Sequence, residues 1–166
     1  MNQTISAPRR TALPVAHASF TIERTFPHSP ARVFHALSDE ATARRWRAEG
    51  EGWQIEEFTM DFRVGGGEVS RFSYQNGPEI RLDAQYHEIV PDERIVFAYR
   101  MAMGMTPLSV SLTTIELFAV GRGTRLVQTE QGAYFGEGES AQGREEGTRE
   151  LLKRLAEELD RAGLSS

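Results

Sequence analysis

The chain has 166 residues, 26% of them charged, with a formal net charge of -5 and no cysteine. That length suits one domain with its own core, and the missing thiols exclude a disulfide or a thiolate zinc site. The acidic balance argues against a nucleic-acid partner, which usually needs a basic face, and no apolar run approaches the roughly 20 residues of a membrane-spanning helix.

Residues 1–18 read as a disordered N-terminal extension rich in Thr, Ala and Pro. Arg9-Arg10 followed by Ala16-His17-Ala18 imitates a twin-arginine leader, but the stretch is short and holds Pro14 and His17. It is therefore not taken as an export signal, and a cytoplasmic location is expected. Residues 19–163 are expected to form the single domain.

From Phe20 the pattern is regular. Phe20, Ile22, Arg24 and Phe26 alternate with Thr21, Glu23 and Thr25, the period of a first strand. Ser29-Pro30 then supplies a helix cap with proline at the first helical position, and Val33, Phe34 and Leu37 share one face of a short helix. Ser38 or Asp39 caps a second short helix, which carries Ala41 and Trp46 and ends before Gly50 and Gly52.

Six strands are expected next, at 54–62, 68–74, 79–89, 94–101, 108–117 and 124–131. Turn chemistry separates them: Gly65-Gly66-Gly67, Asn76-Gly77-Pro78, Pro91-Asp92 and Gly121-Arg122-Gly123. Connections this short imply antiparallel neighbours, hence a meander. In the fifth of these strands the apolar phase changes, from Val110 and Leu112 to Ile115 and Leu117, which predicts a bulge or bend near Thr113-Thr114.

Ser140 then caps a final helix to about Ala162, roughly 33 Å long and able to cross a whole sheet. Leu151, Leu152, Leu155, Ala156 and Leu159 form its apolar stripe. Gly147 in its interior is expected to permit a bend or a close backbone approach.

Five motifs in this order carry a family resemblance. They are Ser29-Pro30-Ala31-Arg32-Val33-Phe34-His35-Ala36-Leu37 with the later Trp46; Met60-Asp61-Phe62-Arg63-Val64-Gly65-Gly66; Glu88 to Phe97; Thr113-Thr114-Ile115-Glu116-Leu117; and Gly123-Thr124-Arg125-Leu126. Together they resemble the activator-of-heat-shock-protein-90-ATPase homology (AHSA-like) family of the SRPBCC superfamily. The resemblance covers about Ser19 to Gly163. Two positions depart from it: Gly147 precedes Thr148 where many relatives have Gly-Trp, and Glu130 stands where relatives often have histidine. The resemblance implies an α+β, helix-grip (START-like, Bet v-like) fold: a curved antiparallel sheet, two short helices and a long C-terminal helix over a cavity.

Such a cavity suits a small hydrophobic or aromatic ligand. The candidate wall comprises Phe72, Tyr74, Leu82, Tyr86, Phe97, Tyr99, Leu112, Leu151 and Leu155, although apolar stripes at these periods usually fill a core. Glu130 and Gln128 share a face with Leu126. An inward Glu130 would be a candidate general acid or base, with Tyr86 or Tyr99 beside it; a position at the sheet rim, with Leu126 covered from one side, is the reading preferred for it. Arg71 is assigned to a solvated outer face, and Trp46 and Trp53 to a helix anchor and a core filler.

The histidines at 17, 28, 35 and 87 lack metal-ligand spacing, so no metal is expected, and no cofactor. The triple glycine lies between strands and not before a helix, so it is assigned to a turn and not to phosphate binding. Non-catalytic ligand binding is the leading expectation. A polyketide cyclase or hydrolase activity using Glu130 is the second, and a chaperone ATPase-activating partnership the third; a homodimer is compatible with each.

Overall fold

The computed structural model describes residues 11–163. Strand β1 (Val15–Phe26) leads through helices α1 (Pro30–Ser38) and α2 (Glu40–Arg47) into six further strands, β2 (Trp53–Met60), β3 (Gly67–Tyr74), β4 (Ile80–Val90), β5 (Arg94–Met103), β6 (Thr106–Val120) and β7 (Gly123–Phe135), and then α3 (Ala141–Gly163). The strands form one antiparallel sheet in the order β1-β7-β6-β5-β4-β3-β2. The two short helices carry the chain from one edge of the sheet to the other, and the meander then returns strand by strand to β1.

β1 begins four residues before the expected domain boundary, because Val15 to Ala18 pair with Phe135 to Gly132. The first ten residues of the expected extension, Arg9-Arg10 among them, lie outside the described residues. Among the described residues no helix is long and apolar enough to cross a membrane.

Local chemistry sets the helical corner. Ser29 Oγ accepts a hydrogen bond from the Arg32 amide, with Pro30 in the first turn. Asp39 closes α1 and caps α2, taking hydrogen bonds from the Thr42 hydroxyl at 2.6 Å and the Thr42 amide at 3.0 Å. Those two bonds hold its carboxyl below the usual range. Trp46 donates from Nε1 to the Ala36 carbonyl at 2.8 Å and anchors one helix on the other.

The main core joins Ile22 and Phe26 of β1, Val33 and Leu37 of α1, Ile115, Leu117 and Leu126 of β6 and β7, and Leu152, Leu155 and Leu159 of α3. Each large aliphatic side chain buried there contributes about 1.5–3 kcal/mol. This core fills one end of the concave side. Towards the other end α3 presents Arg144 and Thr148 inward, and the sheet beneath turns polar.

The phase change in β6 thus has another cause than a bulge at Thr113-Thr114. β6 pairs with β7 without interruption from Ser109 to Val120, and its register with β5 shifts instead beside Met101 and Ala102. Ser109, Ser111 and Thr113 occupy the interior face, while Val110 and Leu112 lie outside at 44% and 42% exposure. Ser109 and Ser111 sit inside because the buried Arg144 guanidinium needs acceptors. At Gly147 a Cβ would meet nothing within 4 Å, so this glycine serves no close approach. Gly66 does: a Cβ there would stand 2.1 Å from the Asp61 carbonyl, in the turn that bonds to the backbone of Tyr86.

Candidate functional site

The strand register stacks the interior residues in rows across the sheet. One row runs Ser70, Leu82, Met101, Ser109, Tyr134; the next Glu68, Ala84, Tyr99, Ser111, Gly132; a third Tyr86, Phe97, Thr113, Glu130, Phe20. Two carboxylates, Glu68 on β3 and Glu130 on β7, therefore face the same interior, separated by four strand spacings, about 19 Å of sheet.

Glu130 is 1% exposed, so it is interior and not at the rim. Arg144, 7% exposed, reaches down from α3 and places Nη1 2.9 Å from Glu130 Oε1. The Tyr99 hydroxyl donates to the same oxygen at 2.8 Å and accepts a short hydrogen bond from Arg144. Ser111 and Ser109 accept from the guanidinium at 3.3 and 2.7 Å, and Met101 Sδ lies 3.1 Å from Nη2. The Arg144 cation also stands over the rings of Tyr99 and Tyr134.

The outer edge of that guanidinium is taken by a second carboxylate. Arg144 Nε donates to Glu139 Oε1 at 2.8 Å and Nη2 lies 2.6 Å from Oε2, while Ser109 Oγ also donates to Glu139 at 3.2 Å. Burial works against the Arg144 cation, but Tyr99, Glu139 and Glu130 outweigh it and raise its pKa. Two buried hydroxyls nearby, Tyr134 Oη and Thr113 Oγ1, make no hydrogen bond of ordinary geometry. Tyr134 fits only because its neighbour is glycine: a Cβ at Gly132 would lie 2.7 Å from Tyr134 Oη.

Glu68, 6% exposed, repeats the arrangement from the other side. Arg47 of α2 meets it at 2.6 Å, and the Tyr86 hydroxyl donates to it at 3.2 Å. Phe97 bridges the two stations, its ring centroid 6.1 Å from Tyr86 and 5.9 Å from Tyr99. Burial pushes both phenols well up, and the neighbouring carboxylate charge pushes the same way in each case. Both tyrosines are therefore hydrogen-bond donors at neutral pH, not bases.

Among the expected wall residues, Tyr86, Tyr99 and Leu155 are buried, and Phe72, Leu82 and Phe97 are half-buried on the interior face. Tyr74 and Leu151 are more open, at 47% and 36% exposure. Trp53, expected in the core, is 37% exposed at the start of β2 and packs its ring 5.5 Å from Phe72 and 4.9 Å from Tyr74. Arg154, one turn beyond Leu151, hydrogen-bonds the Glu49 carbonyl and ties α3 to the segment that precedes Trp53.

Leu112 does not belong to this wall. Alternation puts it on the outer face, in an open depression of about 650 Å³ lined also by Ala98, Val110, Gln131 and Ala133. Gln128 is half-buried on the interior side opposite Ile115 and Ile22, and Arg71 lies outside, paired with Glu79.

The sequence reading missed Arg144, Arg47, Glu68 and the serines. The signal was present for Arg144, which precedes Thr148 and Leu152 at four-residue steps and so lies on the inward stripe of α3. Among the described residues no three His, Asp or Glu side chains converge as metal ligands.

Comparisons with known proteins agree with this architecture. A family profile described as "Activator of Hsp90 ATPase homolog 1-like protein" matches residues 27–160. The crystal structure of a protein from Rhizobium loti is similar at 66% identity over 87% of this chain and 99% of that one, with a TM-score of 0.81. A protein from Rhizobium leguminosarum has 38% identity over 91% of this chain and 99% of its own, with a TM-score of 0.85. One from Chromobacterium violaceum has 26% identity over 83% of this chain and 94% of its own, with a TM-score of 0.70. No curated protein matches. The curved seven-stranded sheet closed by a long C-terminal helix and the match across most of the chain give one conclusion: this protein belongs to the Activator of Hsp90 ATPase homolog 1-like family, on the helix-grip fold.

Proposed function

We propose that this chain binds a small hydrophobic or aromatic molecule between the concave face of the sheet and α3, without catalysing a reaction on it. The observation that carries this reading is the state of the interior apolar side chains. Phe72, Leu82 and Phe97 face inward yet are only half-buried, Trp53 and Tyr74 stand exposed beside Phe72, and Leu151 is exposed on α3. A domain able to bury Leu126 and Leu155 to 0% exposure leaves these large groups incompletely covered. Apolar surface with a few converging polar groups is the usual make-up of a small-molecule site.

Catalysis by Glu130 has less support. Its Oε1 is already engaged by Arg144 and Tyr99, and both neighbouring phenols hold their protons. Chaperone activation rests on the family description alone, and a fold carries many functions.

Native mass spectrometry of gently purified protein, with organic extraction, tests the proposal. An adduct of a few hundred daltons, lost on denaturation, is the expected result. Quenching of Trp53 fluorescence by added hydrophobic probes, abolished in Trp53→Phe, should accompany it. Absence of both an adduct and any probe response in folded protein would sink the ligand reading.

A further inference from the structure

We infer that Arg144 is an anion clamp for a ligand carboxylate, and that Glu139 occupies its place from within the chain until such a ligand arrives. The inference rests on the reading above and adds the chemical class: an organic acid with an apolar or aromatic body.

The guanidinium is divided between two carboxylates of different standing. Its Nη1 serves Glu130, Tyr99 and Ser111, all buried on β-strands. Its Nε and Nη2 edge, a planar two-donor fork of the kind that matches a carboxylate, faces Glu139. Glu130 is 1% exposed in mid-strand, whereas the Glu139 side chain is 17% exposed. Glu139 lies in the linker from Gly136 to Ser140, where Gly136 has a φ of +66° and Gly138 follows two residues later. Outward rotation of Glu139 thus moves one side chain on a glycine-containing loop and leaves β7 and α3 in place.

What remains after that rotation is a formed subsite. The fork of Arg144 and the hydroxyl of Ser109 would meet the incoming carboxylate, since Ser109 now donates to Glu139. Exchange of one carboxylate for another leaves the charge of the buried cluster unchanged, so no extra charge is desolvated. Tyr134 Oη and Thr113 Oγ1 lie in the same rows as Ser109 and Glu130 with unspent hydrogen-bonding capacity for a further polar atom. The apolar body has its neighbours at hand: Met101 touches the fork, Leu82 pairs with Met101 across the strands, and Phe97 packs on Tyr99.

Such a device lowers apparent affinity by the fraction of molecules in which Glu139 has vacated the fork. Removing the internal competitor should therefore tighten binding of acids and not of neutral analogues. Naphthoate and naphthylmethanol share one body and differ in charge, so each is titrated calorimetrically into the wild-type chain and Glu139→Gln. In parallel the Arg144 Nε–H resonance is followed, assigned by its loss in Arg144→Lys.

The expected result is about tenfold tighter naphthoate binding in Glu139→Gln, the worth of one charge-assisted contact, with naphthylmethanol changed less than about twofold and the Nε–H signal moved only by the acid. Equal binding of both probes in both proteins, with that signal unmoved, overturns the clamp and leaves the hydrophobic site standing. Failure of both probes to bind either folded protein overturns the ligand reading itself, and the clamp with it.

Discussion

Replacement of Arg144 by Met should be the most destabilising single change at the site, and the structure says why it exceeds the reciprocal change at Glu130. Arg144 faces two carboxylates, Glu130 and Glu139, whereas among the described residues Glu130 pairs with Arg144 alone. Arg144→Met strands a carboxylate that is 1% exposed, an event that costs about 3–5 kcal/mol. Glu130→Gln keeps a hydrogen-bonding side chain beside an arginine still paired with Glu139, and its cost should stay near 1–2 kcal/mol. The double variant removes cation and stranded charge together, so it should recover at least about 2 kcal/mol relative to the sum of the singles. Urea denaturation is the assay: at a slope of about 2 kcal/mol per molar, the Arg144→Met midpoint falls by about 2 M. In thermal melts the same loss corresponds to about 6–20 °C for a chain of this size. Equal losses for the two single variants, or strictly additive losses in the double, would refute the asymmetric ion-pair argument.

Tyr86 and Tyr99 have folded pKa values raised above the ordinary 10.0 by burial first and by carboxylate charge in addition. Their contribution is fully present below pH 10 and is lost as the pH rises, because the unfolded chain ionises these phenols before the folded one does. Stability should therefore fall by up to about 1.4 kcal/mol per pH unit per tyrosine above pH 10. Alkaline denaturation should show a shallower slope in Tyr99→Phe, and an unchanged slope would contradict the assignment. The glycines divide by environment: Gly147→Ala should stabilise by about 0.5–1 kcal/mol, since its Cβ enters open space in a helix. Gly132→Ala should destabilise by about 1–3 kcal/mol by driving a methyl into the Tyr134 ring. Paired melting curves check both signs.

The element order is legible in the sequence, because each element announces itself over a few residues. Ser29-Pro30 and Asp39 cap the helices through bonds to residues three positions away. The glycine and proline turns end the strands close to where they were expected, and the alternation in β4 marks its buried face. The inward direction of Glu130 was half legible, since Leu126 shares its face, but its depth was not. Depth depends on what covers a strand, and α3, which covers β7, is a separate element of the chain.

The chemistry of the interior depends on contacts between distant elements. Arg144 on α3, Tyr99 on β5, Ser109 and Ser111 on β6 and Glu130 on β7 come from four elements, and no local spacing relates them. Nor could the apolar residues of β6 reveal that Leu112 lies outside. In an ordinary strand the apolar face is the buried one, but here a guanidinium on the opposing helix reverses that preference at Ser109 and Ser111. A hydrophobic pattern records the average solvent of a face, whereas a buried cation and its acceptors are fixed pair by pair, across the fold.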